Sequence, residues 1–223
     1  MDMSDYLRPG RFIDSNSPDI IAFAKTATAG VNGEMGKVLA LYRSIRDSIV
    51  YDPYLDMSDP ANYTASHVLK IGRGFCIGKA ALLAASARAV GTPARVGYAD
   101  VRNHLTSRRL YEMIKTDVFV WHSYTELFLE GRWVKATPAF DMALCQRAGL
   151  HPLEFDGRSD SLFHPYDREG RRHMEYLNLR GASADVPFEA IQADFRVKYP
   201  ALMKSKGLHG DFRVEAVAEA KPA

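Results

Sequence analysis

The chain has 223 residues, 47% of them apolar and 25% charged, the balance of a globular protein long enough to bury its own core. Its 29 basic and 27 acidic side chains leave a formal charge of +2, so the composition offers no concentrated basic face for a nucleic acid. Cys76 and Cys145 are the only cysteines, which excludes a disulfide framework.

In the first segment, MDMSDYLRPGRF, no basic region precedes an apolar one, and no run in the chain approaches the ~18–20 apolar residues of a membrane span. With two cysteines and no export signal, the expected compartment is the cytoplasm. Residues 34–50 place Val38, Leu41, Tyr42, Ile45 and Ile49 on one helical stripe that Pro53 terminates. Ser66 is the expected cap of a short helix, HVLKIG, after which GRGFC brings two glycines up to a cysteine. Residues 77–90 are rich in Ala and Leu and predict a buried helix closed by Gly91. Strand character begins at 94–101, and residues 117–140 predict a hairpin turning at Glu130-Gly131. MALCQRAG, after Asp141, reads as a short helix. Arg168, Arg171 and Arg172 read as a solvated turn. A late helix is expected over 188–199, introduced by Asp185 and Pro187, and the end of the chain, VEAVAEAKPA, reads as a frayed tail. Helices segregated from antiparallel strands indicate an α+β fold.

The chemistry centres on Cys76, at the junction of a Gly-containing turn and the start of the Ala-rich helix. Free amides at a helix N-terminus favour thiolate and can donate to an oxyanion. Gly72 and Gly74 would leave the sulfur accessible. The alternative is a buried structural cysteine, the role assigned to Cys145. His122, on the first hairpin strand, is the matching base: an imidazole takes the thiol proton and returns it to the leaving group.

These segments resemble the transglutaminase-like superfamily. Residues 74–98, GFCIGKAALLAASARAVGTPARVGY, are similar to its nucleophile segment, and 122–138, HSYTELFLEGRWVKATP, to its histidine segment. The resemblance implies a papain-like core over about residues 34–145 of a single domain, 1–223, with an N-terminal addition and a C-terminal extension. It implies catalysis by Cys76 and His122 through a thioester, as in bacterial cysteine proteases of this kind. The family's usual Asp is replaced here by Thr137.

A two-residue turn at 130–131 puts His122 opposite Ala139, with residues 137, 139 and 141 on its face. Asp141 is therefore the expected orienter of the imidazole. The competing readings are Asp141 as the cap of the MALCQRAG helix and a Cys-His dyad assisted by Thr137.

Thr137, Trp121, Glu126 and Asn103 are candidate substrate contacts, with His104 beside the last. Each has a structural alternative: a core place for Trp121, a salt bridge for Glu126 and an ordinary loop position for Asn103. Arg95 reads as a holder of a turn or a carboxylate. Asp156, Asp160 and His164 lack any metal-binding spacing and read as a rim loop, and no P-loop or dinucleotide fingerprint is present.

The expected function is a peptidase or amidase acting on a peptide or amide substrate, with no metal or organic cofactor and no nucleic-acid or membrane partner; the oligomeric state stays open. The alternatives are a non-catalytic peptide- or partner-binding module, a protein-glutamine amine transferase and an arylamine-acetyltransferase-like acyl carrier.

Overall fold

The computed structural model describes residues 2–208 and 210–219. Nine α-helices appear in these residues: α1 Pro18–Ala27, α2 Glu34–Ser48, α3 Ala65–Ile71, α4 Cys76–Ala89, α5 Arg108–Ile114, α6 Met142–Arg147, α7 Phe188–Lys198, α8 Pro200–Lys204 and α9 Phe212–Glu219. The strands are β1 Val50–Tyr51, β2 Arg73–Gly74, β3 Ala94–Asn103, β4 Val118–Leu129, β5 Arg132–Ala136 and β6 Met174–Ser183. The fold is α+β, with a four-stranded antiparallel sheet in the order β5-β4-β3-β6. No helix among the described residues is long and apolar enough to cross a membrane.

The Ala/Leu-rich α4 is buried from Ile77 to Arg88, as a helix without a polar face must be. It lies across the sheet, and Thr125 of β4 donates to the Ala80 carbonyl at 2.8 Å. Helices α1, α2 and α3 pack around it. The close approach of α3 and of the turn before it depends on Gly78, where a Cβ would fall 2.9 Å from Val68 Cγ2 and 2.7 Å from the Asn62 carbonyl oxygen. Gly72 ends α3 in the left-handed conformation at φ 67°. The cap of α3 is Thr64 rather than Ser66, which lies inside the helix and donates its amide to Asp14.

Two charged side chains sit in this core because backbone carbonyls receive them. Lys79, fully buried, donates to the carbonyls of Arg46 and Ile49 at 3.1 and 2.5 Å, supplying the end of α2 with donors. Arg88 donates to the carbonyls of Arg8, Ala94 and Ala184. The Asp185 carboxylate accepts the amides of Arg11, Phe12 and Ile13, tying the N-terminal segment to the end of β6. The opposite sheet face carries a second core of Ala99, Val101, Tyr124, Phe140, Leu144 and Phe163.

The expected hairpin forms with Glu130 and Gly131 at its turn, at φ 49° and 83°. The expected frayed tail is helical as far as α9 reaches; its last four residues lie outside the described residues. Helices α1, α5 and α8 and the edge strand β6 have no counterpart in the sequence reading.

Candidate active site

The chain entering α4 is fixed before it turns. β2 pairs in parallel with β1, setting Tyr51 against Gly74, and the Asp52 amide donates to the Gly74 carbonyl at 3.1 Å. Phe75 is the N-cap, and no side chain caps the helix, so the first-turn amides around Cys76 carry the positive end of the helix dipole. Cys76 is free and partly exposed.

His122 follows a break in the β3–β4 ladder. Ala99 pairs with His122 and Val101 with Phe119, so Val120 and Trp121 together oppose Asp100. This bulge puts Trp121 in the left-handed region at φ 62°, which costs a non-glycine residue roughly 1–2 kcal/mol. A polar cluster holds it there. The Asp100 carboxylate accepts the Trp121 amide at 3.2 Å and Arg180 Nε at 2.5 Å. Asp194 accepts Trp121 Nε1 and Arg180, both at 2.8 Å. The Arg180 guanidinium lies 4.6 Å from the centroid of the indole.

Cys76 and His122 open into one cleft, which Trp121 and Asn103 also line. The imidazole is 6% exposed and packs against Phe163 and Tyr176, with ring centroids 5.1 and 6.2 Å away. Its Nε2 has no hydrogen-bond partner among the described residues. Burial alone lowers the His122 pKa to about 4. Burial also pushes the Cys76 thiol up to about 11, against the amides of Ser123, Ile77 and Cys76 itself, which favour thiolate. Desolvation thus opposes the helix amides on which the sequence expectation of a thiolate rests, and raises the thiol pKa while lowering that of the imidazole.

Asp141 does not occupy the orienter position expected of it. It is 2% exposed, its Oδ1 accepts the Leu144 amide at 2.9 Å as the N-cap of α6, and its Oδ2 pairs with Arg213 at 2.8 Å. No hydrogen bond joins it to His122; its two oxygens face the α6 N-terminus and Arg213. Thr137 is fully buried beside the Tyr176 hydroxyl and does not line the cleft. Glu126 is likewise absent from the cleft wall; it pairs with Arg95 at 2.6 Å, and Arg95 stacks on Trp133. Of the four candidate substrate contacts, only Trp121 and Asn103 face the cleft.

Sequence reasoning missed Asp100, Arg180 and Asp194, and the cleft wall built by α7, α8 and α9. The rim loop lies where expected and sends Phe163 to the cleft, while Asp160 pairs with Lys135 and Asp156 accepts the amides of Arg158 and Ser159. Among the described residues, no group of three or more His, Cys, Asp or Glu side chains could hold a metal ion.

Among solved structures, the chain is similar to a "Putative Cysteine Protease" from Cytophaga hutchinsonii, at a TM-score of 0.53 and 20% identity over 86% of this chain and 50% of that one. It is also similar, at a TM-score of 0.39 and 18% identity, to a "Putative Protease" from Parabacteroides distasonis ATCC 8503, over 60% of this chain and 25% of that one. The chain thus spans half the length of the Cytophaga structure, whose likeness extends to the fold. No curated protein matches the sequence. The family model described as the transglutaminase-like superfamily matches residues 21–138, which hold the α4 cysteine and the β4 histidine. With that match over more than half of its length, the chain belongs to the transglutaminase-like superfamily.

Proposed function

We propose that the protein is a cysteine-nucleophile acyl-transfer enzyme, a peptidase or amidase working through a thioester, with Cys76 and His122 as a dyad. The observation that carries this reading is that the first residue of α4 and the histidine after the β4 bulge line the same cleft. Cys76 Sγ bonds to the substrate carbonyl carbon as His122 takes the thiol proton. The uncapped amides at the start of α4 stabilise the oxyanion. The carbon–nitrogen bond then breaks, and His122 returns the proton to the departing amine. Water attacks the thioester to complete hydrolysis.

The test is competitive alkylation of the two cysteines followed by mass spectrometry. Cys145 is 1% exposed, and burial raises its pKa to about 12, so Cys76 should label far faster at neutral pH and lose most of that advantage in His122→Ala. Equal, slow labelling of both would remove the nucleophile from the account.

A partner-binding module is the second reading. It is favoured by Thr137 at the family's usual Asp position and by a His122 Nε2 that has no hydrogen-bond partner among the described residues. Cys76→Ala separates the two: an enzyme loses its activity, and a binding module keeps its role.

A further inference from the structure

The walls of the Cys76–His122 cleft bear on what enters it. Among the described residues, no Asp, Glu, Lys or Arg lines the cleft. Its apolar lining includes Val101, Leu110, Ile114, Phe119, Phe195 and Leu202. Several of the polar groups in the lining are already engaged. Ser107 caps α5 by accepting the Leu110 amide, and Asn103 Oδ1 accepts the Leu105 amide. The Tyr199 hydroxyl accepts the Val120 amide and donates to the Val118 carbonyl, and the Trp121 indole N–H goes to Asp194. Phe195, Tyr199, Leu202 and Phe212 lie beyond residue 138, outside the segment that matches the family, so this part of the wall belongs to the chain's own C-terminal elements.

We propose that the cleft selects acyl donors whose side chain next to the reacting carbonyl is uncharged and apolar, either aromatic or branched aliphatic, and discriminates against charged and carboxamide side chains. This rests on the acyl-transfer reading above. A charged group there would lose its hydration without gaining a counter-ion, and a glutamine carboxamide would be buried against a hydrocarbon wall. An aliphatic or aromatic group meets a mainly apolar surface and is drawn in by its own dehydration.

The experiment uses the full chain and p-nitrophenyl esters of N-acetylated Phe, Leu, Gln, Glu and Lys. In each case the Sγ–acyl bond forms, the bond to the phenolic oxygen breaks, and release of p-nitrophenol is followed alongside the mass of the Cys76 peptide. The expected kcat/KM for the Phe and Leu esters exceeds that for Gln, Glu and Lys by about 100-fold, on the scale at which hydrophobic pockets discriminate. Ile114→Glu, a wall change away from the dyad, should raise the Lys ester relative to the Phe ester.

Cys76-dependent acylation that is equal or faster with Gln, Glu or Lys overturns the inference and leaves the nucleophile in place. An unchanged Lys-to-Phe ratio in folded Ile114→Glu also counts against it. Failure of every ester to acylate Cys76 overturns the nucleophile assignment, and the inference with it.

Discussion

Removal of the Asp100 carboxylate tests how the histidine is held. Asp100 is 14% exposed at its side chain and supports both the Trp121 amide and Arg180. In Asp100→Ala the amide of a residue at φ 62° loses its acceptor. One lost hydrogen bond to a charged group is worth ~1.5–3 kcal/mol. The Trp121 backbone strain, roughly 1–2 kcal/mol, is then released by flattening the bulge. Flattening moves His122, the next residue, along the strand. A 1 Å misplacement of a catalytic group costs about 100-fold in rate, so ester turnover per folded molecule should fall by about that factor, with a net stability loss of about 1 kcal/mol by urea unfolding, the lost hydrogen bond less the released strain. Asp100→Asn keeps an oxygen for the Trp121 amide and should recover most of the turnover. If Asp100→Ala turns over like the wild type once the folded fraction is counted, the bulge does not position the imidazole and the reasoning is wrong.

Two further predictions concern charge at the site. The His122 pKa falls from 6.5 in the unfolded chain to about 4 in the fold, so the unfolded state binds the extra proton between these values and stability must drop as pH falls from 6.5 to 4, by about 3 kcal/mol from this residue. His173, 3% exposed and also lowered to about 4 by burial, adds to the same slope. Urea midpoints at pH 7 and 4.5 should therefore converge in His122→Gln relative to wild type, and an unchanged gap would contradict the assigned burial. Thr137→Asp should raise the His122 pKa and stabilise a thiolate–imidazolium pair, increasing Cys76 alkylation at pH 7 by about tenfold, the effect of one pKa unit. Alkylation that stays at the wild-type rate in the folded variant would mean that the Thr137 position does not reach the ring.

The elements that position the nucleophile were legible because local signals decide them. The Ala/Leu run of α4, the glycines before Cys76 and the Glu130-Gly131 turn each specify a conformation without help from distant residues. The edge strand β6 was not legible, because its outer positions such as Leu177 and Leu179 are exposed and the alternation that marks a half-buried strand is blurred. The bulge at Trp121 depends on Asp100, Arg180 and Asp194, brought together only by the β3–β4 and β3–β6 pairings. The register expected to put Asp141 on the His122 face does not extend that far, because the β4–β5 ladder ends at Thr125 and Ala136, and Asp141 instead caps α6 and pairs with Arg213, 72 residues away. Nor does the sequence report desolvation, and burial of the sulfur reverses the pKa expected from the helix terminus.

The central claim is that the Cys76 sulfur carries the acyl group. Mixing the chain with the N-acetyl-phenylalanine ester, quenching within the burst and digesting for mass spectrometry should find one acyl addition on the peptide containing Cys76, abolished in Cys76→Ala and formed far more slowly in His122→Ala. Steady ester cleavage by Cys76→Ala, or an adduct on any other residue, would contradict it.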